Sequence, residues 1–298
     1  MDMYSIPFWF QEDVVTLLRH LTVGELSHFW ESVCFDHLEK RNYRHIVLGV
    51  IKNTDTLVWR RTDKKAFKDL RTADLKHLKL ECLIINTVNH KSEDQSTMKP
   101  HEIQFLANLI EDHTRISLSV PQHALLNQVI FNRNFRSLYL RDHGESSIDI
   151  FNHHVKTGYL KSLLLVGNWP DTILPDLREF CGSDMMDSLD LMYAENRVDV
   201  ALLEILVKRF IKGAFCDVPP KTTIFIGRME KDISVDDIEE FVRKCNFLIK
   251  RQNSTCYAIL KHEHREQCLH VRADSSFVEI STRKYVSSFF HLPVRKTA

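Results

Sequence analysis

The chain has 298 residues, enough to bury a substantial core in one elongated domain or two compact ones. Lysine plus arginine and aspartate plus glutamate number 40 each, which excludes a net field drawing the chain to nucleic acid, a membrane surface or an acidic substrate. The opening MDMYSIPFWFQEDVV has no basic leader, its apolar run is cut by Gln11, Glu12 and Asp13, and the 7 cysteines are scattered without a CxxC. Together these features predict reduced thiols, no membrane partner and a cytosolic or nuclear location.

In chain order, residues 8–38 read as two helices, one with the stripe Val14, Val15, Leu17, Leu18 and Leu21, the other with Leu26, Phe29, Trp30 and Val33. Residues 43–51 and 56–61 are rich in β-branched and aromatic residues around Asn53-Thr54-Asp55, which predicts a β-hairpin. The polar stretch 90–100 is the best candidate for a flexible loop.

From about residue 75 the form LxxLxL recurs as Leu75/Leu78/Leu80, Phe135/Leu138/Leu140, Leu160/Leu163/Leu165 and Met186/Leu189/Leu191, with Ile116/Leu118 a degenerate copy. From Ile116 the second apolar position advances by 22, 25 and 26 residues, within the period of leucine-rich repeats. Helical periodicity fills the intervals at 124–130, 148–155, 174–180 and 198–211. One such strand-helix unit cannot hide its apolar face alone, so neighbours stack and alternate strand residues project from the open side. The copy LKSLLLVGN ends in Asn168, a residue suited to bonding backbone where the chain leaves the strand, whereas His143 and Ala194 stand there in other copies. Ordinary α/β layers also alternate strands with helices, so chance recurrence is the competing explanation.

Beyond residue 222 the pattern predicts strands at 223–227, 256–260 and 277–281 and a helix over 234–245, opened by a capping box of Ser234 and Asp237. The string from Ile224 to Met229 resembles the first strand of an RNA-recognition module, with Phe225 and Tyr257 as candidate stacking platforms, but the glycine-aromatic second signature is missing. Phe225 fits equally as a core aromatic on one more repeat strand, so nucleic acid is not the expected partner.

No phosphate-binding glycine loop, nucleophile elbow or HExxH occurs, so the chain is expected not to be an enzyme and to carry no cofactor. Cys256, His262, His264, Cys268 and His270 suit zinc chemically, yet their spacing matches no structural zinc pattern, and a polar strand and turn accounts for them without metal. His153-His154 reads as a helix-end feature.

The opening Ile6-Pro7-Phe8, the helix through Val14, Val15 and Leu18, and then Leu26 and Phe29-Trp30 resemble a degenerate F-box of the kind found in expanded nematode F-box-like families. Ile6-Pro7 stands where the usual motif has Leu-Pro, and its basic-aromatic close is spread over Trp30 and Phe35. The resemblance implies an adaptor in which Pro7, Phe8, Val14, Val15, Leu18, Leu26 and Trp30 dock on the Skp-type subunit of a cullin-RING ubiquitin ligase while the repeats hold a protein substrate. The same residues also suit a terminal cap for a repeat stack.

The expected fold is α/β: irregular leucine-rich strand-helix repeats with an N-terminal F-box-like hairpin and a C-terminal α+β segment. The expected divisions are 1–42, 43–74, 75–221 and 222–298. Outward positions are Ser137, Tyr139, Arg141, Ser162, Leu164, Val166, Ser188, Asp190 and Met192. Of these, Tyr139, Arg141, Leu164, Val166, Asp190 and Met192 form the candidate partner-binding face, apolar at its centre and charged towards its rim.

Overall fold

Leucine and β-branched residues with period-two alternation make strands, and longer apolar stripes between them make helices. In the computed structural model, residues 42–52, 54, 56–59, 78–89, 91, 95–110, 114–120, 130–195, 200–215, 222–229, 233–263 and 266–284 are described. The expected helices within 8–38, and the candidate docking residues they carry, lie outside these. So does most of the helical stretch expected over 124–130. The elements run β1 (Asn42–Ile51), β2 (Leu57–Trp59), β3 (Leu78–Val88), β4 (Ser96–Thr97), α1 (Pro100–Leu109), β5 (Arg115–Ser119), β6 (Ser137–Arg141) and α2 (Glu145–Lys156). They continue through β7 (Ser162–Gly167), α3 (Leu174–Gly182), β8 (Ser188–Ala194), α4 (Val200–Ile211), β9 (Thr223–Arg228) and α5 (Val235–Lys244). The chain then forms β10 (Leu248–Gln252), β11 (Thr255–Lys261), β12 (Gln267–Ala273) and β13 (Phe277–Lys284).

Among the described residues the architecture is mixed α/β: one 13-stranded sheet in the order β10-β11-β12-β13-β9-β8-β7-β6-β5-β3-β1-β2-β4. Strands β1, β3 and β5 to β9 are parallel neighbours, and antiparallel strands extend both ends. The expected hairpin is present as β1 and β2, with Leu48 opposite Trp59 and Val50 opposite Leu57.

Register places Leu83, Ile116, Leu138, Leu163, Leu189 and Phe225 side by side across six strands. Ile85, Leu118, Leu140 and Leu165 form the next row, and every member of both rows is at most 4% exposed. Burying each contributes roughly 1.5–3 kcal/mol, which makes this ladder the main apolar spine of the fold. One detail departs from the motif count. The row passes through Leu83 and Ile85 rather than Leu78 and Leu80, because β3 pairs Arg44 with Leu80 but His45 with Cys82. The extra residue in β3 is a bulge that changes which alternate positions face inward, so Leu80 is buried on one side of it and Leu83 on the other.

Helices cover this inner face with residues three and four apart: Ile150, Phe151 and Val155 on α2, Leu177, Phe180 and Cys181 on α3, and Leu202, Leu206 and Phe210 on α4. Helix α5 buries Ile238 and Val242 in the same core, with Ala258 and Val271 from β11 and β12. Its capping box forms as expected: Ser234 Oγ accepts from the Asp237 amide at 3.2 Å, and the Asp237 carboxylate accepts from the Ser234 amide at 2.7 Å.

Polar groups are also buried inside. On α4, Arg209 donates to the carbonyls of Cys181 at 3.0 Å and Met186 at 3.3 Å, and its guanidinium lies 4.4 Å from the Phe215 ring centre. It therefore ties α4 to the end of α3 and the approach to β8. His154 lies in the last turn of α2, the helix-end position expected, but its ring bonds none of the last carbonyls. It is fully buried, 4.9 Å from the Phe135 ring centre, with neither ring nitrogen hydrogen-bonded. Among the described residues, no helix is long and apolar enough to cross a membrane.

Candidate functional site

A parallel strand whose odd positions are buried must present its even positions on the opposite face. Starting from Ile84, register aligns Ser117, Tyr139, Leu164, Asp190, Ile226, Glu279, Arg272, Tyr257 and Lys250 in one row on the side opposite the helix-covered core. Nine inter-strand steps make this row about 43 Å long. The parallel sheet and the antiparallel extension therefore share one continuous outer face. Three of the predicted face residues, Tyr139, Leu164 and Asp190, are adjacent in the row and half-buried.

The rows on either side differ in chemistry. Towards the strand starts, Ser137, Ser162 and Ser188 are neighbours, and the hydroxyls of Ser162 and Ser188 lie 2.7 Å apart. Towards the strand ends, exposed Arg141 pairs with Val166, and Val166 pairs with Tyr193 rather than Met192. An irregularity in β8 explains this: the Asp190 carboxylate accepts from the Met192 amide at 2.9 Å, and one extra residue turns Tyr193 outward, 64% exposed. Met192 is half-buried within the irregularity, and Tyr193 joins the face in its place.

The turns at the strand ends are built differently in successive units. After β6, Ser147 Oγ donates to the Arg141 carbonyl and accepts from the His143 amide, each at 3.0 Å. After β7, Asn168 is exposed, and the turn is held by other groups: Trp169 Nε1 donates to the Val166 carbonyl at 3.2 Å and the Glu195 amide to that of Gly167 at 2.8 Å. Gly167 has φ +105°, and an added Cβ would lie 3.1 Å from Asp142 Cβ, so this turn requires glycine.

At the antiparallel end the outer face deepens into a pocket of about 370 Å³ across β10 to β13. Leu248, Tyr257 and Ile259 supply its apolar surface, Leu248 being 51% and Tyr257 39% exposed. Lys250, Arg272 and Arg283 surround it with Glu279 as the one carboxylate in the lining, and Glu279 accepts a hydrogen bond from Thr223 Oγ1 at 3.3 Å. His270 also lines it, and burial, then the Arg283 charge, pushes its pKa down to about 4. The imidazole is therefore neutral at physiological pH. The sequence reading named Tyr257 and His270 only for other roles and left out Leu248, Lys250, Arg272, Glu279 and Arg283, although their alternation in four short strands is the signal that unites them.

The other candidate residues are dispersed. Cys256 and Cys268 are buried, His270 faces the pocket, and His264 lies outside the described residues. Among the described residues, no three His, Cys, Asp or Glu side chains group closely enough to hold a metal. Phe225 is fully buried on the inner face and cannot stack on a base, whereas Tyr257 is on the outer face. No family model, curated protein or solved structure matches the chain.

Proposed function

We propose that this chain is a protein-interaction adaptor, a substrate receptor for a cullin-RING ubiquitin ligase, built on irregular leucine-rich strand-helix repeats. The observation that carries the interaction reading is the outer row. Tyr139 and Leu164 form an apolar centre, flanked by Arg141 and Asp190, on a face that none of the described helices packs against. A centre of aromatic and aliphatic residues within a polar rim is the usual plan of a protein interface. The ligase part rests on the F-box-like opening, whose apolar helical residues suit a groove on a Skp-type subunit. In this reading the chain works in the cytosol or nucleus and catalyses nothing itself.

The test is capture of the full chain by purified Skp-type adaptor, beside a Leu18→Asp/Trp30→Asp variant whose folding is checked by circular dichroism. Capture lost in the folded variant supports ligase docking. No capture of the wild type removes the ligase and leaves an interaction scaffold whose opening segment serves as a cap.

A further inference from the structure

We propose that the pocket spanning β10 to β13 anchors an acidic segment of the protein partner. A carboxylate of that segment sits among Lys250, Arg272 and Arg283, and a neighbouring apolar side chain packs on Tyr257 and Leu248. The proposal rests on the interaction reading above and names the chemistry of what is bound.

Three observations carry it. The first is charge. The lining has three permanent cations against one carboxylate, and that carboxylate is already engaged by Thr223. Arg272 has its own contacts, 3.8 Å to Asp274 and 4.9 Å to the Phe277 ring centre, but Lys250 and Arg283 have no carboxylate partner among the described residues. The other side of β10 is the contrast: there Arg251 is neutralised by Asp236 and Glu239 of α5. Unpaired cations are thus gathered on the pocket side of the strand, where complementary charge steers and selects a partner.

The second is shape. A volume of about 370 Å³ is large enough for one or two side chains, and its exposed Leu248 and Tyr257 offer apolar contact beside the cations. This combination selects a carboxylate next to an apolar residue over a bare anion. The third is continuity. Tyr257 lies five strands from Leu164 on the same row, about 24 Å at ordinary strand spacing, a distance that roughly seven extended residues span. One partner can therefore occupy the repeat centre and reach the pocket.

The experiment titrates the full chain into a fluorescein-labelled peptide of alternating Glu and Leu and reads anisotropy, with the matching Lys and Leu peptide as control. The wild type is expected to bind the acidic peptide and not the basic one, more weakly as salt rises. Lys250→Glu with Arg283→Glu is expected to weaken binding about ten-fold or more, and Lys250→Gln alone, a neutral change on an exposed edge strand, to weaken it less in the same direction. Equal binding of both peptides, or undiminished binding by the folded reversal variant, overturns the proposal. So does binding of free naphthalene-2-carboxylate without the peptide, which makes the pocket a small-ligand site. Peptide binding without Skp-type capture sinks only the ligase reading, and capture without peptide binding sinks only this one.

Discussion

His154 offers a direct test of how the core was built. Its imidazole is fully buried beside Phe135, neither nitrogen has a hydrogen-bond partner, and burial, then the His153 charge, pushes its pKa from 6.5 down to about 4. The folded state therefore keeps His154 neutral where the unfolded chain binds a proton. Above neutral pH both states are unprotonated and titration adds no penalty to that of the two unsatisfied nitrogens. As pH falls through about 6.5 the unfolded state gains a proton that the folded state refuses, so stability declines until the folded pKa is reached. Linkage across this interval gives a loss of about 2 kcal/mol by about pH 5, approaching roughly 3.4 kcal/mol well below pH 4. His270 contributes in the same direction, so the wild-type curve alone does not isolate His154. His154→Leu does, because it removes the titration and two unsatisfied nitrogens, and it should be about 1 kcal/mol more stable near neutrality. Urea unfolding followed by circular dichroism at about pH 7.5 and about pH 5 measures both effects. If wild type and variant lose the same stability between the two, within about 0.5 kcal/mol, the reasoning about this buried base is wrong.

The two faces of β7 should respond oppositely to substitution: Leu165→Ala, at a fully buried position in the inner row, should cost about 2–5 kcal/mol, while Leu164→Asp on the outer face should change stability by about 1 kcal/mol or less. Comparable losses in denaturant melts would show that something covers the outer face. Arg209→Met should lower stability by about 2–4 kcal/mol, because the buried carbonyls of Cys181 and Met186 lose their donor, and the shift should appear in the urea midpoint without a change in slope.

The parallel spine was legible in the sequence because burial forces leucine or isoleucine to alternate positions, and the advance from Ile116 through Leu138 and Leu163 to Leu189 is the register seen in space. Phe225 was legible as the next inner residue for the same reason. The bulge in β3 was not, since one extra residue leaves no compositional mark and only pairing with β1 reveals it. The irregularity in β8 likewise hid Tyr193 behind Met192. Lys250, Arg272 and Arg283 are far apart along the chain, and only the antiparallel ladder brings them together, so no local motif announces the pocket. His154 looks polar by type, and its burial follows from the helix face it occupies.

The position of β13 in the sheet order has a consequence for biosynthesis. Of the thirteen described strands, the one made last is the joint between the parallel array and the antiparallel extension, since β9 pairs with β13 and not with β10, β11 or β12. During translation, β9 waits with an open edge while the hairpin of β10 and β11, then β12, emerge; they can pack on α5, but the strand that joins them to β9 is still missing. A nascent chain stopped before Phe277 thus offers two unsatisfied strand edges, on β9 and β12, the geometry that invites intermolecular pairing. Closure of the array between β9 and β12 depends on a single eight-residue strand.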